Sequence, residues 1–174
     1  MNKTLLINPV IGFSPPIGLL YIAAVLEKHC IPVAVEELNT YGQKNYDFSE
    51  LIQKINEEQY KIIGITCLTS SIGVVKQLIR EIKKKCRGCT VVVGGPHATV
   101  LPEEIINVGA DIALVGEGES IFLELMKRIE EGTSYQDVPS LVYRLNDRQP
   151  YYSTPRKIGY EDVNKIPHPA YHLI

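Results

Sequence analysis

Four short stretches hold most of the residues able to grip a ligand: NPVIGFSPP (8–16), TCLTSS (66–71), GGPHAT (94–99) and GEGES (116–120). Glycines such as Gly12, Gly94, Gly95, Gly116 and Gly118 let a bound group approach the backbone. Hydroxyls such as Thr66, Ser70 and Ser71, or free amides at helix starts, can hold its polar atoms. Each stretch alone is also what an ordinary strand-to-helix turn uses, but the four together describe a ligand platform. Glu117 and Glu119 either satisfy the positive end of a helix or accept hydrogen bonds from a ligand, and in both roles they oppose a polyanionic phosphate. No G-x-x-x-x-G-K-[ST] occurs and no G-x-G-x-x-G follows the first apolar run, so the standard phosphate cradles are missing.

His97 is the histidine in these stretches; His29 ends a helical pattern, and His168 and His172 lie near the C-terminus. Ser70 and Ser71 lack a G-x-S-x-G elbow, and no acid–histidine pairing is legible, so nucleophilic catalysis has no support. His97 is read as hydrogen-bonding a loop or a bound group. Cys86 and Cys89 form a C-x-x-C, but no second pair completes a zinc site. The motif closes a helix instead of opening one, where the dipole would lower a thiol pKa. Cys30, Cys67, Cys86 and Cys89 are expected as free thiols of a cytoplasmic protein.

The elements that must position these stretches alternate from the first residues onward. Strand-length apolar runs at 3–8, 32–38, 61–66, 90–95 and 111–118 are separated by helical patterns at 16–30, 47–59, 71–85, 102–109 and 120–132. Five βα units in succession predict a doubly wound, flavodoxin-like or Rossmann-like α/β fold, with a five-stranded parallel sheet in the order 2-1-3-4-5. In such a sheet ligands bind outside the carboxyl ends of the strands, which is where all four stretches fall. From Thr133 the pattern changes. VPSLVYRL and PYYST flank a polar turn and predict a β-hairpin within 133–155; residues 156–174, with prolines at 167 and 169, read as a linker whose apolar end docks onto something else. The division expected is 1–132 for the ligand-binding domain, 133–155 for the hairpin and 156–174 for the linker.

A hydrophobic share of 45%, a charged share of 22% and a formal net charge of −2 describe a chain with a real core and no basic footprint for nucleic acid. The lysines of EIKKKCRG (81–88) cluster at a helix end, where they favour the negative pole of the dipole. No apolar run approaches the ~20 residues of a membrane span, and the N-terminus lacks the pattern of a secretory signal.

Taken together, NPVIGFSPPIGLLYIAAVLEKHCIPVAVEEL, GITCLTSSIGVVKQLIREIK, VVVGGPHATVLPEEI and ADIALVGEGE resemble the N-terminal cobalamin-binding domain of cobalamin-dependent radical S-adenosylmethionine (radical SAM) proteins, through about residue 130. The tail IPHPAYHLI looks like the linker these proteins place before their radical domain. The resemblance implies that the corrin lies over the strand ends while the nucleotide tail inserts beside the sheet. Thr66, Leu68, Ser70 and Ser71 would line the tail, and Gly94 and Gly95 would let its base pass the fourth strand. Gly116, Glu117, Gly118 and Glu119 would border the tail or the corrin side chains, and His97 would bond the loop or the tail.

Two departures from related patterns shape the expectation. Methionine-synthase-like domains carry D-x-H-x-x-G in the first loop, whose histidine replaces the tail base on cobalt. Here the stretch is FSPPIG, with Phe13 and Pro15 in place of Asp and His, and Gly18 matching the glycine. The resemblance therefore implies base-off cobalamin without that histidine, with Gly12, Phe13, Pro15 and Gly18 beside it. The family's C-x-x-x-C-x-x-C, which holds a [4Fe-4S] cluster and S-adenosylmethionine, is missing from the 174 residues. The resemblance implies that these residues are a cobalamin module without catalytic activity of its own, partnered by a radical SAM domain of a larger enzyme, often a methyltransferase. A vestigial scaffold domain and a stand-alone corrinoid carrier are the alternatives.

Overall fold

The valine- and isoleucine-rich runs form the expected parallel strands: β1 (Thr4–Asn8), β2 (Val33–Glu37), β3 (Ile62–Thr66), β4 (Thr90–Gly94) and β5 (Ile112–Leu114). A computed structural model describes residues 2–9, 15–38, 40, 46–145, 151–155 and 164–174, with 151–153 as backbone. The helices between the strands are α1 (Ile17–Lys28), α2 (Ser49–Glu57), α3 (Ile72–Lys85), α4 (Pro96–Val100), α5 (Pro102–Val108) and α6 (Glu119–Glu131). Their ends follow local chemistry. Asp47 Oδ1 accepts the Ser49 amide at 2.9 Å and the Ser49 hydroxyl at 2.6 Å at the start of α2, and these bonds hold its carboxyl below the usual range. Gly109 and Gly132 close α5 and α6 in the left-handed conformation, at φ +117° and +65°.

The parallel strands lie in the order β2-β1-β3-β4-β5, as the alternation predicts. The hairpin, β6 (Leu141–Arg144) and β7 (Tyr151–Ser153), is not a separate appendage. β6 pairs antiparallel with β5, so the hairpin extends the same sheet to seven strands among the described residues. Two further differences have clear causes. β5 stops at Leu114 instead of running to 118, because Gly116 turns the backbone to φ +89°. GGPHAT, read as loop, holds the one-turn helix α4, whose start Pro96 favours with its fixed φ.

Both faces of the sheet are covered. α2, α3 and α5 pack on one face over Leu5, Ile7, Ile63, Ile65, Val91 and Val93. α1 and α6 pack on the other over Leu6, Ile62, Val92, Ile112 and Leu114. The C-terminal tail docks on its own domain. Ala170 is buried, and its amide donates to Leu20 O at 3.1 Å. His172 Nε2 lies 2.9 Å from Glu27 Oε1, so residues 170–173 brace the outer side of α1. All four cysteines are free thiols, and burial pushes Cys67 and Cys86 up to about 11. Lys83 pairs with Asp111 and Lys85 with Glu81, which gives two members of the lysine cluster local partners. Among the described residues no helix is long and apolar enough to cross a membrane, and no group of His, Cys, Asp and Glu could hold a metal ion.

Candidate functional site

Side chains alternate across a strand, so one face of β1, β3 and β4 is set by every second residue. The parallel register places Leu6 beside Gly64 and Gly64 beside Val92. One step toward the carboxyl end, Thr66 stands beside Gly94, with Asn8 at the end of β1. On this face the central strands thus offer two glycines where bulky side chains would otherwise stand. A cavity of about 300 Å³ opens there, between the sheet and helices α1 and α6. Leu6, Gly64 and Val92 line its sheet side; Gly18, Leu19 and Ile22 of α1 and Phe122 of α6 close the helix side.

The glycines are not equivalent. A Cβ on Gly94 would meet only Leu114 Cβ, at 3.9 Å, so the backbone there accepts a side chain and the glycine leaves space. Gly95 is a geometric necessity: at φ +95° and ψ 180°, a Cβ would stand 2.9 Å from both Cys67 O and Thr66 Oγ1. A Cβ on Gly64 would come within 2.7 Å of Leu6 Cδ2 and 3.3 Å of the Phe122 ring, and one on Gly118 within 2.9 Å of Ile22 Cδ1. Gly64 lets the floor and the Phe122 wall approach, and Gly118 lets the start of α6 approach α1.

The polar groups are few. Among the described residues, Asn8, Thr66 and Glu119 contribute to the lining, and no lysine or arginine does. Asn8 Nδ2 donates to Glu37 Oε1 at 3.0 Å, which orients the amide at the end of β1. Such a slot suits a flat, largely apolar group carrying a few acceptors and donors, and disfavours a bare polyanion.

Of the residues expected from sequence, Pro15, Gly18, Thr66, Leu68, Gly94, Gly95, Gly118 and Glu119 line this one cavity. Others sit elsewhere. Ser71 is buried in the 3₁₀ turn Thr69–Ser71, where its hydroxyl accepts the Leu68 amide and donates to Leu68 O, both at 3.0 Å. Ser70 is exposed on the same turn, and Glu117 is exposed before α6. Gly116 donates its amide to Thr99 Oγ1 at 3.0 Å, joining the loop after β5 to α4. His97 is 4% exposed and lies outside the cavity lining, facing Thr69 and Glu104. Gly12 and Phe13 lie outside the described residues.

Sequence reasoning missed Gly64, Asn8 and Phe122. A lone glycine inside IIGIT was a usable signal, because a glycine in a strand interior often marks close approach. Asn8 opened the NPVIGFSPP stretch but was not singled out within it, and Phe122 carried no signal, since only helix packing brings it to the slot.

The model of the B12 binding domain matches residues 3–126. This chain belongs to the B12-binding domain family. Among curated relatives of this B12-binding domain, an uncharacterized methyltransferase of Pyrococcus horikoshii is 29% identical over 97% of the chain and 36% of its own length. The cytidylyl-2-hydroxyethylphosphonate methyltransferase of Streptomyces wedmorensis is 25% identical over 98% of the chain and 40% of its own length. The chain thus spans well under half of these relatives. Two solved structures share its fold. The radical S-adenosylmethionine methyltransferase TsrM from Kitasatospora setae, with cobalamin and a [4Fe-4S] cluster bound, matches with TM-score 0.76 and 22% identity over 97% of this chain and 31% of that one. The cobalamin-dependent S-adenosylmethionine radical enzyme OxsB matches with TM-score 0.74 and 15% identity over 98% of this chain and 24% of that one.

The residues of the slot fit the group the family is named for. A glycine-spaced, largely apolar cleft at the carboxyl edge, with no lysine or arginine among the described lining residues, has the chemistry a flat aromatic base at the end of a cobalamin tail would need.

Proposed function

We propose that this B12-binding domain is the cobalamin-holding module of a larger radical SAM enzyme of the methyltransferase type, and that it takes cobalamin base-off. The observation carrying the reading is the slot itself: Gly94 leaves open a space that the fold does not need. The tail base would be held between Gly64 and Gly94 on the sheet and Gly18, Leu19 and Phe122 on the helices, which line the cavity. Thr66 and Asn8 offer polar contacts to the ribose and phosphate of the tail, and Leu68 and Pro15 stand at the mouth. Ser70, Gly116 and Glu117 follow the same strand ends outside the cavity lining, where they would border the corrin's amide side chains.

Pro15 stands where a cobalt-ligating histidine would be, and the buried ring of His97 faces away from the cavity. Both support base-off binding without a histidine below cobalt. Bound there, cobalamin supplies a cobalt centre able to carry a methyl group. The domain's own part is to hold the tail, exclude water from the slot and present one corrin face outward. The [4Fe-4S] cluster and S-adenosylmethionine belong, on this reading, to a radical SAM domain of the same enzyme. The methyltransferase names of the two relatives above are consistent with methyl transfer as the chemistry of the larger enzyme.

Titration of the full-length protein with hydroxocobalamin, followed in the visible region, tests this. Saturable uptake with a base-off spectrum is the expected outcome. A complete lack of uptake would reduce the domain to a scaffold.

A further inference from the structure

His97 is among the most deeply buried polar side chains described, yet the cavity beside it does not use it. Its contacts run the other way. Nδ1 lies 3.3 Å from Thr69 Oγ1, on the turn that follows β3. Nε2 lies 3.3 Å from Glu104 Oε2 on α5, close enough for an ion pair but without a hydrogen bond, and among the described residues it has no hydrogen-bond partner. Glu104 Oε1 meets Lys76 Nζ of α3 at 2.5 Å, and Lys76, with help from His97, holds that carboxyl below its usual range. The His97 backbone amide donates to Cys67 O at 3.0 Å. The loop after β3 is therefore tied to α4 twice, once by backbone and once by the ring.

That loop carries Leu68 on its cavity side and starts directly after Thr66, the last residue of β3, which also lines the cavity. It also crowds Gly95, because Cys67 O and Thr66 Oγ1 occupy the space a Cβ would need. A small shift of the loop would close the gap at Gly94–Gly95 or carry Thr66 away from it. A buried imidazole hydrogen-bonded to one element and facing a carboxylate on another is suited to resist such a shift, since losing Thr69 strands a desolvated Nδ1 and moving from Glu104 removes the one charge opposite Nε2.

We propose that His97 is a positioning residue: it clasps Thr69 to Glu104 and so holds the Cys67–Ser71 loop where the slot stays open. This rests on the cobalamin reading for its consequence, but the clasp belongs to the ligand-free protein and can be tested there. It also explains a buried histidine that neither lines the cavity nor belongs to an apolar cluster.

Amide hydrogen exchange across Cys67–Ser71 in the cobalamin-free, full-length protein is the first test. His97→Phe keeps a ring of similar size and removes both polar contacts. It should speed exchange in this loop by about tenfold while leaving β1 and α6 unchanged. Thr69→Val, at an exposed position outside the cavity lining, should speed it in the same segment, and it serves as the readout if His97→Phe fails to fold. Unchanged exchange in both variants would overturn the clasp.

The second test is hydroxocobalamin affinity. His97→Phe should weaken it about tenfold, and His97→Asn, which restores a polar group toward Thr69, should recover part of the loss. In the His97→Phe background, Thr69→Val should have no further effect. Additive losses would overturn the proposal, as would wild-type affinity in His97→Phe. If the wild-type protein takes up no cobalamin, the functional reading fails, and the exchange experiment still decides the clasp.

Discussion

The two faces of one sheet differ in what fills them. Toward α2, α3 and α5 the central strands present Leu5 and Ile7, Ile63 and Ile65, Val91 and Val93, all buried in one continuous cluster. Toward α1 and α6 the intervening residues of the same strands are Leu6 and Asn8, Gly64 and Thr66, Val92 and Gly94. Residues one apart thus serve opposite ends. One face is packed for stability, and the other thins toward the carboxyl edge from leucine and valine to glycine, threonine and asparagine, leaving room for a guest. A parallel sheet with both faces covered can hold a slot on one side because the other side keeps the strands in place.

Substitutions at neighbouring positions of β4 and its loop break this comparison most sharply. Gly94→Leu should abolish saturable hydroxocobalamin uptake, because its side chain fills the slot. The backbone accepts it, so the melting temperature should move by less than about 4 °C. Unchanged affinity would show that the ligand does not pass Gly94. Gly95→Ala, one residue on, should instead destabilise the fold by about 3 kcal/mol in urea titration, since φ +95° with ψ 180° is nearly closed to other residues and backbone atoms crowd the Cβ. A cost below about 0.5 kcal/mol would mean that the loop relaxes freely.

Val93→Ala, on the packed face, should cost about 2 kcal/mol of stability with cobalamin affinity retained. A loss of affinity to match would deny the separation of the faces. Gly64→Ala should cost about 1 kcal/mol and weaken uptake severalfold, because Leu6 and Phe122 must give way into the cavity. An affinity equal to wild type would remove Gly64 from the slot's floor.

The smallest effect concerns the packed face and pH. Burial raises Cys67 and Cys86 from an ordinary value of 9.0 to about 11, so the folded protein keeps thiol protons that the unfolded chain releases. Stability is therefore unaffected below pH 9 and falls as pH rises from about 9 to about 11. Melting curves across that window should show a shallower decline in Cys67→Ala than in wild type. Equal slopes would place the pH sensitivity elsewhere.

Much of this organisation is legible in the chain itself, for a local reason. Strand-length apolar runs alternating with helical periodicity specify a parallel sheet, and right-handed crossovers then leave few strand orders. That is why β2-β1-β3-β4-β5 and the four carboxyl-edge loops are legible in the chain alone. Gly94 and Gly95 stood out because two adjacent glycines end a valine run.

What the tertiary structure alone decided is non-local. Gly64 became the floor of a slot only when register set it between Leu6 and Val92 and packing brought Phe122 against it. Ser71 and His97, grouped by sequence with the ligand edge, turned inward, where Ser71 bonds the Leu68 backbone and the His97 ring meets Thr69 of the loop after β3. The tail, read as a linker, found α1 within reach, and the hairpin found the open edge of β5. Periodicity tells which face of an element is apolar. Which atoms meet across that face depends on strand register and helix packing between segments far apart in sequence, and these residues were placed by that alone.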